Sequence, residues 1–248
     1  MILHKCVGPD FLSKSGSYSV AIGGDHSASL KLMNQSQWKD YFSAFILALV
    51  LSVLVRIFIL AAYKIPTGSM QPTLLPGDFV FSFKLAYDFK NIQRGDIVVF
   101  QYPQNQQISH IKRIIALPGD RVQIIKNQLY INNQKAHYKL LQNQNHSNPN
   151  PESFDLLQES LLQHSHAVIV KKNQQDYNFG PIVVPPEEVF VLGDNRDVSD
   201  DSRYWGTVPM KMIQGKVVFR WLSLDVQKKW AGNRIPSVRW DRVFTKIE

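Results

Sequence analysis

The chain has 248 residues, 44% hydrophobic and 19% charged, which is ordinary for one folded domain or two small ones. Its single cysteine, Cys6, excludes an intrachain disulfide. The formal net charge of +8 comes from 28 basic and 20 acidic residues. The basic residues are scattered and no nucleic-acid motif accompanies them, so nucleic acid is set aside and an anionic membrane surface is the expected partner.

The first 40 residues show no sustained periodicity and several Gly and Ser residues, so a mobile tail is expected, with Met33 as an alternative start. From Tyr41 to Tyr63 the sequence reads YFSAFILALVLSVLVRIFILAAY, 23 residues carrying one charge. As a helix this run is about 34 Å long, enough to span a bilayer. Trp38, Tyr41 and Tyr63 flank it as interfacial aromatics do, and Lys39 and Lys64 bracket it. Arg56 either snorkels toward the C-terminal interface or faces a partner. The run lies too far from the N-terminus and is too long for a cleaved leader, so an uncleaved anchor is expected. Lys31 and Lys39 on one side balance Lys64 and Lys84 on the other, and charge therefore assigns no orientation.

Beyond Pro66 the chain changes character. GDFVFSFKLAY, GDIVVFQY, HIKRIIALPGDRVQIIKNQLYINNQ, EEVFVLGDN and GKVVFRWLSL are short, rich in Val, Ile and Phe, and punctuated by Gly-Asp, Pro-Gly and Asn-Asn. They predict the strands of a mainly β domain spanning residues 64–133 and 187–248. Residues 134–186 read as an inserted cap: NQNHSNPNPES as a polar loop, FDLLQESLLQH as one short helix, and HAVIVKK as a strand.

The chemistry turns on Ser69, set in IPTGSMQPTL between two prolines just after the apolar run. A serine hydroxyl needs an adjacent base to act as a nucleophile. Gln71 stands where the second glycine of a G-x-S-x-G elbow belongs, which disfavours an α/β-hydrolase. Two bases are open in HIKRIIALPGD. One is His110, the only histidine in a strand-like run of the main domain. The other is Lys112, whose strand face it shares with His110, Ile114 and Ala116. Arg113 cannot give up its proton at usable pH. In GDNRDVSDDSRYWG, four aspartates within eight residues invite a calcium loop, but a register from Asp194 puts Arg196 and Val198 at ligand positions and one from Asp197 lacks the turn glycine. No metal or cofactor is expected. His164 and His166 read as a surface pair, and Arg94 and Asp96 in RGDIVVF as scaffold.

The ordered series of an apolar span, IPTGSMQPTL, RGDIVVF, HIKRIIALPGD and GDNRDVSDDSRYWG resembles the type I signal peptidases of bacteria, over roughly residues 41–133 and 186–245. The resemblance implies a signal-peptidase-like β domain with a smaller inserted cap, tethered by one N-terminal transmembrane helix. It implies a serine endopeptidase that removes signal peptides from secretory preproteins, with Ser69 as nucleophile and Lys112 as general base. The Ser69 backbone N–H and the Thr67 hydroxyl would form the oxyanion hole; relatives carry serine at the latter position. Ser199 would orient the Lys112 amine, and Asp201 and Arg203 would pair to hold the turn. Tyr63, Ile65, Pro66, Met70, Leu74, Val80, Val99 and Ile111 would wall two shallow pockets for small side chains, with His110 where relatives often have tyrosine. Preproteins and membrane phospholipids are then the partners. The implied location is the bacterial inner membrane, with the tail in the cytoplasm and the catalytic domain outside. Trp205, Trp221, Trp230 and Trp240 either rest on the lipid interface or pack in the core. A self-cleaving repressor is opposed by the span and the lack of DNA-binding helices. A silent, tethered binding module is opposed by the joint presence of Ser69, Lys112, Thr67 and Ser199.

Overall fold

The computed structural model describes residues 35–89, 91–141, 153–229 and 236–247. Most of the expected tail with Cys6 and Met33, most of the polar loop, and Trp230 lie outside the described residues. The chain divides into two compact units, residues 1–46 and 47–248. Of the first, the described part is the beginning of helix α1, Gln35–Leu54.

With no Gly or Pro, α1 runs unbroken to Leu54 and continues as a π turn over Val55–Ile59. The expected single helix from 41 to 63 needs correction at its end, because Leu60–Lys64 is strand β1. Its five residues pair antiparallel with β2, Asp78–Phe83, from Leu60 opposite Phe83 to Lys64 opposite Phe79. A ladder of that length overrides the helix preference of Leu-Ala-Ala. No helix among the described residues is long and apolar enough to cross a membrane.

After β2 come the short helix α2 (Ala86–Phe89), β3 (Ile97–Tyr102), β4 (Asn105–Ala116), β5 (Arg121–Ile125) and β6 (Gln128–Ile131). The next strands are β7 (Gln134–Lys135), β8 (His137–Leu140), β9 (Phe154–Leu161), β10 (His164–Lys171) and β11 (Phe179–Val183). The chain closes with β12 (Glu188–Leu192), α3 (Ser202–Trp205), β13 (Val208–Pro209), β14 (Ile213–Lys229), β15 (Pro236–Val238) and β16 (Thr245–Lys246). The protein is thus mainly β, as the strand-like runs predict.

The largest sheet has the order β1-β2-β14-β3-β4-β12-β13, with β15 and β16 also paired to β14. A second sheet, β11-β5-β6-β7, draws on both sides of residue 133, and a third is β10-β9-β8. Residues 154–164, expected as a short helix, are instead β9 and the turn of a hairpin in which Leu161 pairs with His164. The central strand β3 shows why its sequence is a continuous IVVF. Ile97 and Val99 enter one core with Ile65, Met70, Leu74, Val80 and Val217, while Val98 and Phe100 enter another with Ile114, Val189, Val191 and Val208. A strand covered on both faces has no polar side to alternate with. Trp205 and Trp221 pack on Phe100 and on Phe79 and Phe81, whereas Trp240 is exposed.

Candidate active site

Ser69 lies in the loop that leaves β1 and returns into β2. Backbone bonds close this loop at its neck, from Ile65 N to Asp78 O (2.8 Å) and from Gly77 N to Ile65 O (2.9 Å). At its tip Gln71 N donates to Gly68 O and Leu74 N to Met70 O, so the nucleophile sits on a bonded turn. Met70 and Leu74 are buried beneath it while Ser69 remains partly accessible. Thr67 Oγ1 stands 3.5 Å from Ser69 Oγ, at the upper limit of a hydrogen bond.

Lys112 occupies the middle of β4 opposite Val98 and is only 4% exposed. Burial lowers its pKa to about 8; Asp201, Asp200 and Asp194 pull upward against this, and Arg203 adds to the lowering. Ser69 and Lys112 line one cleft of about 580 Å³. Tyr63, Ile65, Pro66, Thr67, Met70, Val99, His110 and Ile111 line it as well. Leu74 and Val80, expected as walls, are a correction. Both are fully buried in the core behind Ile65 and Met70, so they support the wall without forming it. Val198 and Asp200 face the same cleft and were not foreseen.

His110 stacks on Tyr102 at 4.5 Å, and Tyr102 meets Trp205 edge-on. Burial and then the Lys112 charge lower its pKa, which keeps the ring neutral. Its Nδ1 is buried and bonds to none of the described residues. A histidine base of the triad type needs an acceptor at that atom to hold its tautomer, and none is present among the described residues.

The loop from Gly193 to Ser202 packs beneath the nucleophile. Asn195 N donates to Ser69 O (3.0 Å) and Asn195 Nδ2 to Gly68 O (3.2 Å). Arg203 grips Asp201 through two parallel bonds of 2.8 and 2.9 Å, and Asp201 Oδ2 also accepts Gly193 N (3.0 Å). The Asp201 carboxylate is therefore bonded to Arg203 and Gly193 N, while its charge still pulls on the lysine. Ser199 Oγ is buried and makes no hydrogen bond to the described residues, which leaves it open to a further partner. Arg113, next to the lysine but on the opposite strand face, forks onto Asp194 (both 2.9 Å), and Thr73 Oγ1 donates to the same carboxylate (2.5 Å). Burial pushes Asp194 up, but Arg113 outweighs it and holds the carboxyl below its ordinary range. Arg94 pairs with Asp120 (2.8 Å), and Asp96 accepts Lys216 Nζ and Tyr87 OH.

The surface reading of the two histidines needs a partial correction. His164 is exposed, but the His166 side chain is 8% exposed and lies against Glu159 (3.5 Å) and Asp194 (3.9 Å). Burial, reinforced by Arg113, lowers its pKa to about 4, so at neutral pH these are contacts of an uncharged ring. Glu159, missed altogether in the sequence, has no exposed surface and takes two bonds from Arg196 (2.5 and 2.8 Å) and one from Tyr138 OH (2.6 Å). No cluster of three or more His, Cys, Asp or Glu suited to a metal occurs among the described residues.

A family model described as signal peptidase, peptidase S26, matches residues 38–222. Signal peptidase I of Buchnera aphidicola subsp. Baizongia pistaciae is 36% identical over 255 aligned residues, covering 82% of this chain and 81% of that protein. Signal peptidase I of Pseudomonas aeruginosa is 35% identical over 234 residues, covering 84% and 81%. Among solved structures, a signal peptidase I from Enterococcus faecalis is similar with 32% sequence identity and a TM-score of 0.35, over 51% of this chain and 97% of that one.

Proposed function

Because this chain belongs to the signal peptidase family S26 and is a serine protease of that class, we propose that it cuts the N-terminal signal peptides of exported preproteins with a Ser69–Lys112 dyad. One observation carries the reading: an accessible serine and a buried lysine of lowered pKa share one largely apolar-walled cleft. A lysine in that condition is neutral in a usable fraction of molecules near pH 8, as a general base must be.

In the proposed sequence, the neutral Lys112 amine takes the Ser69 proton as Oγ attacks the scissile carbonyl carbon. The Ser69 N–H and the Thr67 hydroxyl hold the developing oxyanion. Collapse of the intermediate breaks the C–N bond, and the Lys112 ammonium returns its proton to the departing amine of the mature protein. Water then cleaves the acyl-enzyme, with Lys112 again as base, and restores the serine. Ser199 Oγ orients the amine. Arg203 keeps Asp201 occupied, because a carboxylate resting on the ammonium would raise its pKa. The walls formed by Ile65, Met70, Val99 and Ile111 select small side chains near the cut by overlap with larger ones.

The reading extends to a membrane anchor in the apolar run that starts at Tyr41. Phe42, Phe45, Leu47, Leu49, Val50, Leu51, Val53, Leu54 and Phe58 are exposed, a helix apolar all round that no other described residue covers. Such a surface is stable only when buried, and lipid is the matching environment. Ser69 follows Ile59, the last helical residue, by ten residues, at most about 35 Å of extended chain, so the cut occurs near the bilayer surface. The β domain then faces outward from the bacterial inner membrane, the first 40 residues remain in the cytoplasm, and residues 134–186 cap the catalytic domain. The test is cleavage of a model preprotein in detergent by the intact chain, Ser69→Ala and Lys112→Met. The expected result is precise processing by the intact chain and none by either variant, both folded. Near-normal turnover by either variant would overturn the dyad.

A further inference from the structure

The hairpin β9–β10 does more than cover the fold. β10 is bonded along the loop beneath the nucleophile: Ile169 N donates to Asp194 O (2.9 Å), Arg196 N to Ile169 O (3.0 Å) and Lys171 N to Asp197 Oδ2 (2.6 Å). From β9, the Glu159 carboxylate reaches into the same place and forks onto Arg196. Burial pushes this carboxyl up, and Arg196 more than offsets it, so Glu159 is held below its ordinary range and stays ionised. Arg196 is thereby fixed in one rotamer. Its backbone carbonyl accepts Arg203 Nη2 (2.5 Å), the same guanidinium that forks onto Asp201. The adjacent residue, Asn195, holds the Ser69 carbonyl. A chain of direct contacts therefore leads from a strand of the hairpin to Ser69, and through Arg203 to Asp201, whose charges act on Lys112.

We propose that Glu159 is a positioning residue for the reaction: by fixing Arg196 it fixes the loop that sets Arg203 on Asp201 beside Lys112 and Asn195 on Ser69. The inference rests on reading Lys112 as the base. A buried ion pair is a poor device for stability, since apolar residues of similar volume do as well, but it selects a single geometry. The charged and titratable groups around Lys112 are Asp201, Asp200, Arg203, Asp194 and His110. Those around Glu159 are Arg196, His166 and Tyr138. His166 is neutral above about pH 4 and supplies no charge to the pair in the working range. When Arg196 loses its carboxylate, its carbonyl shifts and Arg203 loses an acceptor. The fork on Asp201 then loosens, and the upward pull of Asp201 on Lys112 is less opposed.

The test is the pH dependence of kcat/KM for a synthetic signal-peptide substrate, using the full chain in detergent. Glu159→Gln removes the charge at constant shape. The double variant Glu159→Leu with Arg196→Met removes both charges and keeps an apolar filling. Both should move the acidic limb of the profile upward by about one pH unit, which is about a tenfold loss below the limb, with KM unchanged and activity recovered at alkaline pH. A merely structural role would lower the melting temperature and leave the limb in place. The proposal is overturned if the folded variants keep the limb of the unsubstituted chain, or if neither variant folds, which would assign Glu159 to folding alone. Turnover by Lys112→Met would instead sink the dyad itself, so the two failures are distinguishable.

Discussion

A Cβ at position 193 would overlap Ser199 Oγ and stand 2.5 Å from both Ser199 Cβ and Ser69 O. Gly193 is therefore where the serine proposed to orient the base and the backbone of the nucleophile come into contact through a residue with no side chain. Backbone cannot yield as a flexible side chain does, so Gly193→Ala must push Ser69 or Ser199 out of place. Misplacement of reacting groups by about 1 Å costs on the order of 10²-fold in rate. The expected outcome is a loss of that size in kcat with substrate affinity little changed, read from steady-state kinetics on the purified variant. Full activity in Gly193→Ala would show that the spacing between Ser69 and Ser199 is not used in catalysis. At this scale the sequence was most legible. The choice of Lys112 and the pairing of Asp201 with Arg203 come from the ordered series of motifs, not from their neighbours, but Ser69 and the two candidate bases, His110 and Lys112, each sit in a short local pattern. Glu159 and His166 do not, since the Arg196 that gives Glu159 its meaning lies 37 residues away.

Among elements, the start of β2 ties distant parts of the chain together. Asp78 has no exposed surface, and its carboxylate accepts Arg242 (2.8 Å), Arg220 (3.2 Å), Ser223 Oγ (2.6 Å) and Leu75 N (2.9 Å). Arg220 and Arg242 also both donate to Thr73 O, in the loop that carries Ser69. Asp78 thus joins β2, β14 and the turn after β15 to the nucleophile loop. Asp78→Ala leaves these guanidiniums buried against each other, and removal of one partner from such a group costs about 3–5 kcal/mol. Urea denaturation of the variant should show that loss, and a change below about 1 kcal/mol would mean that the backbone bonds at the loop neck suffice. The strand itself was legible as an apolar run after Gly-Asp. Its guanidinium partners, more than 140 residues along the chain, left no local trace. The hairpin strand β9 misled for a different reason. Phe154, Leu157 and Leu161 fall at helical spacing, and only pairing with β10 decides for strand. The same holds for Leu60–Lys64, where apolar residues of helix preference become a strand because β2 is there to receive them.

For the molecule as a whole, the proposed reaction depends on the lowered pKa of Lys112, and that value is a property of the assembled sheets. A solvated lysine titrates near 10.4 and would be almost fully protonated at pH 8. Here packing around β3 and β4 removes water from the amine, and Arg203, paired with Asp201, counters part of the upward pull of Asp201, Asp200 and Asp194. The sign follows directly. Below the folded pKa the base carries its proton and cannot accept another, so activity rises with pH through that value. The decisive measurement is the pH dependence of kcat/KM for a signal-peptide substrate, with the unsubstituted chain and with His110→Gln. The account predicts one acidic limb near pH 8 in both proteins. A limb near 6.5 that disappears in His110→Gln would contradict it and make His110 the base.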